Sequence, residues 1–231
     1  MTNRKPLALT HILYEKDDPY GAILAFSSLL PILISFSLTT HLFVGKDLRA
    51  GFIATGALLT QIISTVLKKI IKEPRPQNDL IVPGTQKYGM PSSHSCFMAF
   101  IAVFSLLFAI RRCQNLIGPN AFVIRMKRWL MPAVTTLSAI VCSYSRIHLE
   151  YHTIRQVVAG SVLGLFIAIV WFILYEKYYV TSWASKLEKT YNAWDFRSPH
   201  DLGDSSYTFK KSLDARRKIF EQRNNGWKKE S

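Results

Sequence analysis

Residues 142–156 read C-S-Y-S-R-I-H-L-E-Y-H-T-I-R-Q and separate two long apolar runs, residues 131–141 and 157–175. Arginine is costly at membrane depth unless it faces a polar cavity or a partner. Arg146 therefore indicates either a charged turn at the lipid boundary or a polar site between two membrane spans. Taken alone, this stretch leaves both interpretations open.

Five apolar runs predict an all-α integral membrane bundle with about five transmembrane helices. A helix needs about 20 mostly apolar residues to cross the hydrocarbon core of a bilayer. The candidate spans are residues 21–44, 51–71, 97–110, 129–144 and 157–175. We expect the short third and fourth runs to extend into polar sequence that is buried in protein. A soluble helical bundle with a very apolar core is the alternative, which the length of several runs disfavours.

The chain is strongly basic, with 29 Lys and Arg against 15 Asp and Glu and a formal net charge of +14. A basic protein can bind nucleic acid, but no nucleic-acid-binding module is visible, so no such partner is expected. Basic loops beside membrane spans stay cytoplasmic, which fits the charge pattern better. Cys96, Cys113 and Cys142 have no metal-ligand spacing and are expected to act as small hydrophobic side chains.

Two more polar stretches lie at span boundaries. Residues 68–76 read K-K-I-I-K-E-P-R-P at the end of the second span, and residues 89–95 read G-M-P-S-S-H-S at the start of the third. Because successive spans alternate in direction, both stretches lie on the same side of the membrane as residues 142–156. The sequence therefore predicts one site to which all three contribute.

Together the three stretches resemble the signature of the type-2 phosphatidic acid phosphatase (PAP2) superfamily, which reads K-x6-R-P, P-S-G-H and S-R-x5-H-x3-D. The matching residues are Lys68, Arg75, Pro76, Pro91, Ser92, His94, Ser145, Arg146 and His152. Ser93 stands in place of the signature glycine and Gln156 in place of its aspartate. These variants, with L-T-H-I-L-Y at residues 9–14 and H-S-C-F-M at residues 94–98, look like the dolichyl-diphosphatase branch. The resemblance covers about residues 9–175.

The resemblance implies a phosphate site with two catalytic histidines. His152 would attack phosphorus and form a phosphohistidine, while His94 would protonate the leaving oxygen and then activate water. The sequence alone leaves open which histidine takes which role. Arg146 is counted as catalytic as well as phosphate-binding, since an arginine can grip two phosphate oxygens. The expected phosphate ligands are Lys68, Arg75, Ser92, Ser93 and Arg146.

Gln156 is the departure with the largest chemical consequence. The aspartate of the signature orients the nucleophile and stabilises its positive form. Gln156 lies one helical turn after His152, so its carbonyl is expected to orient the ring without supplying charge. Glu150 is the nearest carboxylate, but its spacing of two residues from His152 points it elsewhere on a helix. The basicity of His152 is therefore in question more than the reaction class.

Two further expectations concern metal ions and His148, neither of which is expected to take part in the reaction. No Asp-x-Asp pair or Glu/His cluster suggests a metal site, so a metal-independent reaction without a cofactor is expected. His148 is expected to be a hydrogen-bonding residue at the membrane interface and to take no part in the chemistry.

The predicted function is hydrolysis of a polyprenyl diphosphate, as the resemblance implies dolichyl diphosphate, to its monophosphate and inorganic phosphate. That reaction recycles the lipid carrier of protein N-glycosylation. One alternative is a phosphatase of other lipid phosphates, namely phosphatidate, sphingoid phosphate or shorter isoprenoid diphosphates. Another is a non-catalytic anionic-lipid-binding protein or transporter. His94 and His152 argue against the latter, because binding alone needs cations and not two histidines.

The sequence predicts three parts, which are an N-terminal lumenal segment (residues 1–20), a membrane phosphatase domain (21–175) and a basic cytosolic tail (176–231). Loops opposite the motifs carry Lys46, Arg49 and the basic stretch 111–128. The positive-inside rule therefore places the motifs in the lumen and the C-terminus in the cytosol. The last four residues, K-K-E-S, resemble the dilysine retrieval signal of endoplasmic-reticulum membrane proteins, and an ordinary solvated basic tail is the alternative.

Overall fold

The computed structural model describes residues 4–7, 12–15, 17–44, 47–76, 87–113 and 121–177. Within these ranges a two-stranded antiparallel hairpin precedes six helices. The elements are β1 (Arg4–Leu7), β2 (Ile12–Glu15), α1 (Gly21–Ser27), α2 (Leu30–Phe43), α3 (Leu48–Ile71), α4 (Ser93–Cys113), α5 (Ala121–His148) and α6 (Ile154–Leu174). Since α1 and α2 belong to one apolar segment, the helices form five segments long and apolar enough to cross a membrane. The predicted all-α membrane bundle is confirmed, and the hairpin is an unpredicted addition.

The first span is broken between α1 and α2. Pro31 lies in the first turn of α2, where its missing N–H is not needed for the helix. Ser27 uses its hydroxyl to cap the end of α1 by donating to the carbonyl of Leu24 at 2.6 Å. The break leaves Ser28 buried, with 1% of its surface exposed, at the inner side of an otherwise apolar segment.

α4 forms the centre of the bundle and packs against α3, α5 and α6. Its aromatic side chains Phe97, Phe100 and Phe104 are buried and form the main core. Large apolar side chains on the outer helices, such as Phe36 and Phe166, are exposed instead. That arrangement suits a bundle surrounded by lipid, where outward apolar surface is favourable.

Two glycines of α6 bring the stretch 89–95 close to the stretch 142–156. A Cβ atom at Gly160 would overlap the carbonyl oxygen of Ser92, and one at Gly164 would overlap that of Cys96. Small residues four positions apart allow such close backbone approach between membrane helices. The N–H of Ser92 also donates to the carbonyl of Gln156 at 3.0 Å. The start of α4 is thus fixed against the start of α6.

The helices α4 and α5 are longer than their apolar runs, as expected. α4 begins at Ser93, and α5 continues to His148. The prediction of a basic loop over residues 111–128 is wrong, because residues 111–113 belong to α4 and residues 121–128 belong to α5. Residues 114–120 and the predicted tail beyond residue 177 lie outside the described residues.

Contacts at the far end of the bundle join the start of α3 to the ends of α4 and α6. The guanidinium of Arg49 lies 5.5 Å from the centre of the Phe108 ring. Arg111 Nε donates to Glu176 Oε2 at 3.2 Å. This far end is therefore opposite the end where α3 finishes and α4 begins.

Candidate active site

Three cationic side chains meet at the end of the bundle formed by the end of α3, the start of α4 and the α5–α6 junction. Lys68 and Arg146 are each only 4% exposed, and Arg75 is half-buried. The Nε atoms of both arginines are buried and have no hydrogen-bond partner among the described residues. A buried donor without a partner costs about 1–3 kcal/mol, so these groups suit an anion bound between them. The structure brings together these three predicted phosphate ligands.

Arg146 is held by two groups that the sequence analysis did not identify. Its Nη1 donates to the hydroxyl of Ser28 at 3.1 Å, which explains why the broken first span presents a serine here. Its guanidinium also lies 4.2 Å from the centre of the Tyr151 ring, a favourable cation–π distance. Tyr151 in turn accepts a hydrogen bond from the N–H of Leu13 at 3.0 Å. The hairpin therefore fixes the ring that covers Arg146.

Ser93, the residue in place of the signature glycine, connects α3 to α4. Lys68 Nζ donates to its hydroxyl at 2.7 Å, and the hydroxyl of Ser64 lies 2.9 Å away from it. Ser92, immediately before α4, is fully buried and accepts from the hydroxyl of Ser95 at 3.2 Å. Because both serines lie at the first turn of α4, its free backbone N–H groups face the same region as the cations.

His152 is buried at the α5–α6 junction, with 2% of its surface exposed. Its Nδ1 lies 3.0 Å from Gln156 Oε1. Burial lowers the pKa of His152 to about 2, and the charges of Arg146 and Arg75 add to this effect. The imidazole is therefore neutral in the unliganded protein.

The orientation of the Gln156 amide follows from its partners. Its Nε2 faces two acceptors, Glu73 Oε1 at 3.0 Å and the Pro74 carbonyl at 2.8 Å. Its Oε1 faces a donor, the N–H of Thr153 at 3.4 Å, in a capping box at the start of α6. A flipped amide would oppose oxygen to oxygen, so Oε1 must face His152. Nδ1 of His152 then carries the proton, and Nε2 keeps a free lone pair.

His94 lies in the first turn of α4, on the same end of the bundle as His152. Its ring hydrogen-bonds the backbone of Ser28 and lies within electrostatic range of Lys68, Arg75 and Arg146. The predicted site residues thus converge around one cationic region, and the break in the first span contributes Ser28 to it.

His148 lies outside this region. Its Nε2 lies 2.7 Å from Asp18 Oδ2, and this hydrogen bond lowers the pKa of Asp18. His148 therefore makes a hydrogen bond, as predicted, and its position at the membrane interface stays a prediction. Glu150 takes a left-handed backbone conformation, with φ of 58°, in the turn after α5.

Sequence reasoning missed Ser28, Ser64, Glu73 and Tyr151 as contributors to this region. Polar residues inside apolar spans mark functional positions by default, so Ser28 and Ser64 carried a usable signal. Ser64 also precedes Lys68 by one helical turn, which places both on one face of α3. No comparable pattern pointed to Glu73, whose contact with Gln156 spans 83 residues of sequence.

The fold and this region define a multi-pass membrane protein with a buried cationic site beside a tautomerically fixed histidine. The family model described as the PAP2 superfamily matches residues 49–179. The chain is 35% identical over 173 residues to mouse Dolichyldiphosphatase 1, covering 75% of this chain and 72% of the mouse protein. It is 34% identical over 176 residues to the Dolichyldiphosphatase of Saccharomyces cerevisiae, covering 73% and 70%. The chain therefore belongs to the PAP2 superfamily.

One solved structure supports the fold. It is the crystal structure of the first transmembrane PAP2-type phosphatidylglycerolphosphate phosphatase from Bacillus subtilis. The two structures agree with a TM-score of 0.54 at 19% identity, over 70% of this chain and 80% of the bacterial one. At this identity the likeness establishes a shared helical architecture and leaves the substrate open.

Proposed function

We propose that this protein is a membrane phosphatase that hydrolyses dolichyl diphosphate to dolichyl monophosphate and inorganic phosphate. The observation that carries the proposal is the contact of His152 Nδ1 with Gln156 Oε1, which leaves Nε2 free, beside the buried Lys68 and Arg146 and the half-buried Arg75. The names of the mouse and yeast relatives supply the substrate. The reaction returns the lipid carrier of protein N-glycosylation to its monophosphate form.

In the first step Nε2 of His152 attacks the terminal phosphorus of the diphosphate. Lys68, Arg75 and Arg146 bind the non-bridging oxygens, on which negative charge concentrates in the transition state. The bond between that phosphorus and the bridging oxygen breaks, and the lipid monophosphate leaves with a proton from His94. The product on the enzyme is a phosphohistidine.

In the second step a water molecule attacks the phosphohistidine. His94, now neutral, accepts a proton from the water as the new phosphorus–oxygen bond forms. The phosphorus–nitrogen bond breaks, inorganic phosphate leaves and His152 returns to its neutral form. The Nδ1 proton stays on the ring throughout, held by the Gln156 carbonyl.

A diphosphate suits this site better than a phosphate monoester for two reasons. Attack on its terminal phosphorus expels a phosphate, which is a far better leaving group than the alkoxide of a lipid alcohol. A diphosphate also carries more negative charge, which matches a site with three cations, two of them buried, more closely. The long isoprenoid chain stays in the bilayer, beside helices whose outer faces are apolar.

We place the enzyme in the endoplasmic-reticulum membrane, with its active site in the lumen. The far end of the bundle carries Arg49, Arg111 and Lys177, and the sequence adds basic residues between residues 111 and 128. Such loops stay on the cytoplasmic side. The segment beyond residue 177 would then lie in the cytosol.

The direct test is phosphate release by the purified protein from a short-chain polyprenyl diphosphate, with phosphatidate and sphingoid phosphate in parallel assays. We expect the diphosphate to be hydrolysed with the highest kcat/KM, and the activity to survive EDTA because protein cations bind the phosphate oxygens. Faster release from a monophosphate would assign the protein to the other lipid phosphatases. No release from any substrate by folded protein would support the non-catalytic lipid-binding alternative.

A further inference from the structure

We infer that Glu73 is a positioning residue for the nucleophile, acting on His152 through the side chain of Gln156. The inference rests on the proposed function, since it assumes that His152 attacks phosphorus. It answers the question raised by Gln156, which cannot supply the negative charge of the aspartate in the signature.

A continuous hydrogen-bonded chain runs from the carboxylate to the imidazole. Glu73 Oε1 accepts from Gln156 Nε2 at 3.0 Å, and Gln156 Oε1 accepts from His152 Nδ1 at 3.0 Å. An amide that donates at one end and accepts at the other transmits polarisation along such a chain. Together with the Pro74 carbonyl and the Thr153 N–H, Glu73 thereby favours the amide orientation in which Oε1 faces His152 and leaves Nε2 of the ring free.

The segment that carries Glu73 is held in place by the backbone. Lys72 ends α3 in a left-handed conformation, with φ of 56°, which turns the chain away from the helix axis. The N–H of Gly89 then donates to the Glu73 carbonyl at 2.8 Å, and Pro74 pairs with Tyr88 in a short antiparallel bridge. The carboxylate therefore comes from a fixed segment between α3 and α4.

Gly89 leaves the space in which the amide lies. A Cβ atom at this position would overlap Gln156 Oε1 and crowd the rest of the amide group. The stretches 68–76 and 89–95 thus both line the space around the Gln156 amide. Glu73 accepts the hydrogen bond from Nε2, and Gly89 leaves room for the amide group.

The charge of Glu73 has a specific use in the reaction. His152 is surrounded by Arg146, Arg75 and Lys68, all of which oppose a positive ring. When Nε2 bonds to phosphorus, the ring gains positive charge that Nδ1–H shares with Gln156. A carboxylate at the other end of the amide stabilises that charge in the transition state without a direct contact to the ring.

The test separates charge from shape. Glu73→Gln keeps an acceptor for Gln156 Nε2 and removes the charge, whereas Glu73→Ala removes both. We expect kcat to fall by about tenfold or more for Glu73→Gln and further for Glu73→Ala, with KM nearly unchanged because Glu73 does not touch the substrate. Glu176→Gln, which removes a carboxylate at the far end of the bundle, is the matched control and should stay within about twofold of wild type.

A charge swap identifies the route through Gln156. Gln156→Glu alone puts a carboxylate against Glu73 and the Pro74 carbonyl, so we expect it to be slow. In Glu73→Gln/Gln156→Glu the new amide donates to the new carboxylate, which now contacts His152 directly. We expect the pair to be faster than either single variant by about threefold or more, a difference of about 0.7 kcal/mol in activation free energy, so that the two losses are not additive.

The outcomes are distinguishable with His152→Ala as the reference. Wild-type turnover by Glu73→Gln and Glu73→Ala, with His152→Ala inactive, would overturn the role of Glu73 and leave the proposed function intact. Losses that simply add in the double variant would also overturn it, because they would mean that Glu73 acts on the fold and not on His152. Phosphate release by folded His152→Ala would instead overturn the proposed function.

Discussion

At the residue scale, the Gln156 side chain accepts a hydrogen bond at one end of its amide and donates hydrogen bonds at the other. It accepts the Nδ1 proton of His152 and donates to Glu73 and the Pro74 carbonyl. An aspartate in its place would be an acceptor only and would face those two oxygens without a proton. A glutamine suits this position better than the signature aspartate, because Glu73 beside it needs a hydrogen-bond donor. Ser93 is similarly matched to its surroundings, because its hydroxyl is the acceptor for Lys68.

The first prediction concerns the two arginines of the site. Arg75→Lys and Arg146→Lys keep the charge but lose the planar group that can bind two phosphate oxygens, so we expect kcat/KM to fall by about tenfold or more for each. Arg146→Lys also loses the stacked contact with the Tyr151 ring. Steady-state kinetics on the diphosphate measure the effect, with Arg49→Lys at the far end as the control. Unchanged kinetics for both site variants would show that these arginines only mark the membrane boundary.

The second prediction concerns the protonation of His152. Burial holds the pKa of the folded state at about 2, so the ring should stay neutral as the pH falls from 7.5 to 5. The unfolded chain takes up a proton near the ordinary value of about 6.5, so this residue's contribution to the free energy of unfolding falls as the pH drops below that value. Nitrogen NMR of histidine-labelled protein, with His152→Gln to assign the signal, measures the protonation. A midpoint near 6.5 for His152 would contradict the account.

At the element scale, the site depends on how closely α4 and α6 approach each other. Gly160 and Gly164 face the carbonyls of Ser92 and Cys96, where no side chain fits. The same contact fixes the position of His152 and Gln156, at the start of α6, relative to Ser93 and His94, at the start of α4. The break between α1 and α2 and the hairpin then complete the site by placing Ser28 and Tyr151 around Arg146.

The third prediction tests this helix contact. Gly164→Leu should push α4 and α6 apart, lower the stability by about 1–3 kcal/mol or more and reduce phosphate release. Val162→Leu is the control, because Val162 lies on the exposed face of the same helix and tolerates a larger side chain. Thermal unfolding in detergent and the phosphate assay report the two effects. A Gly164→Leu protein as stable and active as the control would show that close packing of α4 on α6 is unnecessary.

The five membrane spans could be predicted from the sequence, whereas the break in the first span and the contacts between distant segments could not. The five spans follow from apolar run lengths, and the motif order already implied that their polar ends share one side. The exact break near Ser28 did not follow, because a proline at position 31 permits either a kinked helix or two helices. Tyr151 and Glu73 act through contacts between segments distant in sequence, which neither periodicity nor spacing reveals.

At the scale of the whole molecule, the two ends of the bundle differ in chemical character. One end holds buried cations, histidines and serines, and at the other Arg49 lies over the Phe108 ring and Arg111 pairs with Glu176. Under the proposed function, a lipid headgroup enters the end with the buried cations at one membrane surface, while its chain remains in the bilayer. Which surface that is depends on the orientation of the protein.

The fourth prediction concerns this orientation. In a background with the native cysteines replaced, a cysteine within residues 77–86 should resist a membrane-impermeant thiol reagent in intact microsomes until the lumen is opened. A cysteine at Lys46, on the far side, should react without opening, and a tag fused after Ser231 should be accessible to protease. The reverse pattern would contradict the lumenal site and the cytosolic C-terminus together.

The central claim is that His152 forms a covalent phosphoenzyme during hydrolysis of a polyprenyl diphosphate. Rapid quenching of the purified protein with substrate labelled in its terminal phosphate measures this directly, because phosphohistidine survives alkali and is lost in acid. We predict label on His152 in the wild-type protein, none in His152→Ala and greatly slowed phosphate release in His94→Ala. Phosphate release at the wild-type rate without any labelled histidine, or label on a residue other than His152, would contradict the account.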